Sequence, residues 1–79
     1  MDDQETAADF ERAAEHAYAA MYDVPPYRAK DCWEDARSSF VRSIDAAGRA
    51  GLADEAVRLT ARLAHVEKVY NSQFRGVGV

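Results

Sequence analysis

Residues 52–74, LADEAVRLTARLAHVEKVYNSQF, decide the fold. Leu52, Ala56, Leu59, Leu63, Val66 and Tyr70 recur at alternating spacings of four and three. At about 100° per residue they fall on one stripe of an α-helix. Phe74 prolongs the stripe by a turn, and no alternation of period two competes with it. Gly51 precedes the helix, and Asp54 and Glu55 place carboxylates at the positive end of its dipole. Lys68 and Arg75 sit towards the negative end, with Gly76 as a left-handed cap. The spacing predicts a helix over about 52–75. So long a rod with one greasy stripe must lie against other elements of the chain.

Upstream, Ala29, Trp33, Ala36, Phe40, Ile44 and Ala47 keep one helical phase, which predicts a second helix over about 26–50. Two starts compete. Pro26 can open the helix as its first residue, or Asp31 can cap it with Glu34 completing a capping-box-like pair. Ala29 shares the phase and favours the earlier start. The stretch AAGRAG closes this helix, with Gly48 weakening the last turn and Gly51 as the left-handed cap. So short a link sets helices two and three side by side and antiparallel.

A first helix over about 3–22 follows from Ala7, Phe10, Ala14, Ala17 and Met21 on one face, with Ala13 and Tyr18 beside it. Glu11 and Glu15 are like charges one turn apart, which disfavours an isolated helix and calls for a basic surface nearby. Pro25 and Pro26 end this helix and reverse the chain. The expectation is an all-α, single-domain, antiparallel three-helix bundle over residues 1–79, with 76–79 as a frayed tail.

Residues 33–63 resemble one tetratricopeptide-type helical hairpin through Phe40, Ala47, Gly51, Ala56 and the large Leu59. The chain departs from that family at Ile44, where glycine is usual, at Leu63, where alanine is usual, and in lacking a proline after the second helix. A tight helix pair with small residues at its crossing accounts for the same positions.

Seventy-nine residues are short for a self-sufficient core, since chains of under about 80 residues rarely reach more than roughly 3–5 kcal/mol of net stability unaided. Sixteen alanines thin the core further while allowing close helix approach. The single cysteine, Cys32, allows no internal disulfide and favours a reducing, cytoplasmic setting. The acidic start lacks the apolar run of a signal peptide, and no stretch is apolar enough for a membrane span. The net charge of −4 is concentrated in residues 1–23, which carry seven acids against Arg12 alone. That balance argues against nucleic acid and anionic membranes as partners, because both are bound through basic surfaces.

Catalytic and metal constellations are sparse. His16 and His65 lie away from the apolar stripes and are expected at the surface. Cys32 stands beside Glu34 and Asp35, which oppose a thiolate. Ser38 and Ser39 have no neighbouring histidine, and the glycines mark helix ends rather than a phosphate loop. The reading is therefore a non-catalytic protein–protein interaction or assembly module without a cofactor, associating with itself as a homodimer or with a protein partner. The runner-up is a small metal- or ligand-binding helical protein using His16, His65 or Cys32.

The expected contact surface is the apolar material that fits no core stripe: Val57, Ala61 and Ala64 on helix three and Val41 on helix two. Tyr18, Tyr22 and Tyr27 cluster near the first reversal and are typical interface anchors. Arg58 and Arg62 belong to a basic strip, with His65 and Lys68, that should face the acidic first helix within the chain or across a dimer.

Overall fold

A computed structural model describes residues 3–74, with side-chain surroundings over 6–74. The Arg75 and Gly76 end signals and the expected 76–79 tail lie outside the described residues. Three helices run up, down and up: α1 (Asp3–Ala20), α2 (Ala29–Arg49) and α3 (Ala53–Val69). No strand is present among the described residues.

α1 stops two residues before the expected end. Met21, Tyr22 and Asp23 instead donate to the carbonyls three residues back, Tyr18, Ala19 and Ala20, at 3.1 Å each. This tightening satisfies terminal carbonyls as the chain approaches its two prolines. Pro25 is extended, with φ −57° and ψ 148°, and Pro26–Arg28 form a 3-10 turn that leads directly into α2. The earlier of the two starts is therefore used, and Asp31 lies in the first turn of α2 rather than capping it.

The α2–α3 link is a Schellman motif. Gly51 has φ +75°, the left-handed value its missing Cβ permits. Leu52 N–H donates to Ala47 O at 2.9 Å and Gly51 N–H to Gly48 O at 3.1 Å. The apolar contact that accompanies this motif is also present, as Leu52 packs on the cluster containing Ala47. One turn thus caps α2, reverses the chain and delivers the first core residue of α3.

α3 departs from expectation at its far end. The regular helix stops at Val69, and Tyr70–Phe74 widen into a π-helical turn. The Tyr70 N–H is shared between Glu67 O and Val66 O. The Ser72 hydroxyl bonds to Lys68 O at 2.9 Å and Val69 O at 3.3 Å, occupying carbonyls that a regular helix would use. Phe74, at the end of this turn, meets Tyr22 edge-on, with ring centroids 5.0 Å apart.

The core lies where α2 meets both neighbours. Near the Gly51 turn, Ala7, Ala46, Ala47 and Leu59 are buried together, flanked by Ile44, Leu52 and Ala56. Towards the proline end, Ala14, Phe40 and Val66 are buried, flanked by Tyr18, Trp33 and Leu63. Among the described residues, six of the ten buried apolar side chains are alanines, so the core is as thin as the composition implied. Ser43, fully buried, donates its hydroxyl to the Ala7 carbonyl of α1 at 2.7 Å. The buried residues of α2 are thus Ala29, Ala36, Phe40, Ser43, Ala46 and Ala47. Ile44, expected among them, is only half-buried and packs from the side.

Candidate functional site

Three surfaces carry the residues singled out in the sequence. The first is the seam between α1 and α3, where the backbones stand apart and long side chains span the gap. Arg58 bonds both oxygens of Glu11, at 2.8 and 2.9 Å, and also reaches Glu55 one turn back on its own helix at 2.8 Å. Arg62 bonds both oxygens of Glu15 at 2.7 and 2.8 Å, with its guanidinium 5.3 Å from the centroid of the Tyr18 ring. Two guanidiniums one turn apart therefore neutralise two carboxylates one turn apart on a parallel helix. The repulsion between Glu11 and Glu15 is answered within the chain, the first of the two arrangements the sequence allowed. The hydrogen bond from Arg58 holds the Glu55 carboxyl below its ordinary range. The carboxylates raise the pKa of both arginines above the ordinary guanidinium value.

The second surface is the proline end, where helix termini bring five aromatics together. Trp33 stacks on Tyr70 at 5.2 Å and 11° between planes. Tyr22 stands edge-on to Tyr18, at 5.9 Å, and to Phe74. The hydrogen bond between the Tyr18 and Tyr22 hydroxyls, followed by burial, raises the Tyr18 pKa. Tyr18 is half-buried, Trp33 packs on this end of the core, and Tyr22 and Tyr27 remain 55% and 71% exposed.

The third surface is the back of α3. Val57, Ala61 and Ala64 are all exposed, Val57 at 69%. They point away from Leu59, Leu63 and Val66, which face α2. Val41 is exposed on the outer side of α2.

His16 and His65 are exposed on α1 and α3, and Cys32 is a half-buried free thiol near the start of α2. Among the described residues, no three His, Cys, Asp or Glu side chains come together in a metal-holding group. A notch of about 100 Å³ between α1 and α3, lined by Ala7, Ala8, Glu11, Leu52, Glu55 and Leu59, falls short of the volume a typical small-molecule site requires. A second hollow, along Ala64, Glu67, Lys68, Asn71 and Ser72, is open surface on one helix end. No described helix is long and apolar enough to cross a membrane.

Sequence reasoning passed over Ser43, the π-turn and the Arg42 guanidinium lying 6.0 Å from the centre of the Phe10 ring. A signal for Ser43 was present, because residues 36, 40, 43 and 47 keep the 4-3-4 spacing of a packed stripe. A serine simply does not register as apolar. Comparison of the chain with protein families, with curated proteins and with solved structures finds no match.

Proposed function

We propose that this chain is a small, non-catalytic helical interaction module that binds a protein partner or a second copy of itself. The observation that carries the reading is the second apolar face of α3. A helix already buried along Leu59 and Val66 presents Val57, Ala61 and Ala64 to solvent on its opposite side. A helix that is greasy front and back has two partners to satisfy. The thin alanine core points the same way, because association adds stability that a short chain cannot draw from its own interior. The free Cys32 thiol fits a cytoplasmic setting.

The test compares the purified chain with a Val57→Glu, Ala64→Glu variant. Both are measured for solution mass, for the concentration dependence of the melting temperature, and for proteins specifically retained from the native host. The module reading expects association that the variant loses while keeping its helical circular dichroism. A chain of 8.8 kDa whose melting temperature ignores concentration, and which retains the same proteins as its variant, rejects it.

A further inference from the structure

We infer that the occupant of the exposed α3 face is a second copy of this chain, laid antiparallel through its own α3 about a two-fold axis beside Ala61. The inference rests on the interaction reading above and specifies its partner. Asp54, Val57, Ala61, Ala64 and Lys68 follow one another at spacings of three and four, so they form a single stripe diametrically opposite the buried one. All five are exposed. The stripe is charged only at its ends, with a carboxylate at one and an ammonium at the other. Asp54 and Lys68 each stand seven residues from Ala61, about 10 Å along the axis in either direction.

That symmetry selects the partner. Rotation about Ala61 carries Asp54 onto Lys68 of the second copy, and Lys68 onto its Asp54, closing two ion pairs around an apolar centre. A parallel arrangement would set Asp54 against Asp54. Among the described residues neither group forms an ion pair within the chain, whereas Arg58 and Arg62 close on Glu11, Glu15 and Glu55. Charge that is self-complementary under a two-fold is what an isologous contact requires. The two alanines near the axis allow the helices the closer end of the usual 8–10 Å separation, estimated at about 8 Å. Val57, four residues out, then lies over the second copy's Ala64 and the methylenes of its Lys68. One helix face covers less than the roughly 800 Å² per partner of a standard interface, so the dimer is weak and forms as concentration rises.

The test uses the full chain with Cys32→Ser and one new cysteine, oxidised with oxidised glutathione at high protein concentration. A residue beside the axis faces itself, so Ala61→Cys yields a disulfide-linked dimer. Two Val57 positions are separated by about 12 Å along the axis, beyond the Cα span of about 7 Å that a disulfide tolerates. Val57→Cys therefore cross-links far more slowly. In sedimentation equilibrium Asp54→Lys weakens self-association several-fold, and adding Lys68→Asp restores it. All these positions are at the surface, and an unchanged melting profile at low concentration confirms that each variant folds. A dimer that cross-links no better at position 61 than at 57, or that ignores the charge swap, overturns this geometry and leaves the interaction reading standing. A mass of 8.8 kDa at every concentration overturns self-association altogether. The interaction reading then stands or falls on whether Val57→Glu releases a captured partner.

Discussion

α1 is held on two sides by opposite means. Against α2 it is dry and close: Ala7 and Ala14 lie on Phe40, Ser43 and Ala47, and a serine hydroxyl reaches its backbone. Against α3 it stands further off, and arginine–glutamate forks cross the gap. The difference teaches which contact holds the bundle and which orients it. Apolar burial and close packing are collective and little affected by salt. Exposed ion pairs are each worth well under the net stability of a domain, but they reject a wrong register through like-charge contact.

The comparison breaks most decisively at Phe40, the largest fully buried side chain. Phe40→Ala should cost about 3–5 kcal/mol, enough to unfold a chain of this size; urea denaturation followed by circular dichroism would show it. Next comes Ala14→Leu, which overfills the α1–α2 contact and should cost about 1–3 kcal/mol. A thermal melt unchanged by that substitution would mean the two helices are not closely packed there. Ser43→Ala removes one hydrogen bond and should cost about 0.5–1.5 kcal/mol, in a way that added salt leaves untouched.

The ionic side gives the smaller effects. Arg62→Met, which keeps the packing on Tyr18 but removes the charge, should cost less than about 1 kcal/mol. Its cost should shrink further in high salt, unlike that of Ser43→Ala. The smallest effect is acidic. Glu55 holds its proton less tightly folded than unfolded, because Arg58 donates to the carboxylate. Its stabilising contribution is therefore complete above the ordinary carboxylate pKa and lost as the pH falls through the lower folded value. Melts of wild type and Glu55→Gln should converge in that acidic window.

How much could be read in advance differs by element. The α3 stripe was legible because Leu59, Leu63 and Val66 repeat at helical spacing with no rival pattern, and the Gly51 turn because a left-handed residue between two such stripes has few alternatives. The match of Arg58 and Arg62 to Glu11 and Glu15 was half-legible: complementary charge at equal spacing showed on both helices, but not whether one chain or two supplied it. Ser43 escaped notice because its hydroxyl is polar in a list of residues and nearly apolar once its proton is shared with Ala7. The π-turn at Tyr70–Phe74 escaped because the four-residue step from Tyr70 to Phe74 fits a regular helix equally well, so the widening leaves no mark on the pattern.

The amino-acid sequence by itself determined three amphipathic rods, the two reversals between them and an up-down-up course. Those follow from periodicity and backbone chemistry that act within a few residues along the chain. Only the tertiary structure decided that Ser43 is fully buried in α2 while Ile44 is not, that the arginines of α3 close on the glutamates of their own chain, and that the last turn opens where Phe74 meets Tyr22. Each of these depends on the separation of two helix axes, a distance that no single helix encodes.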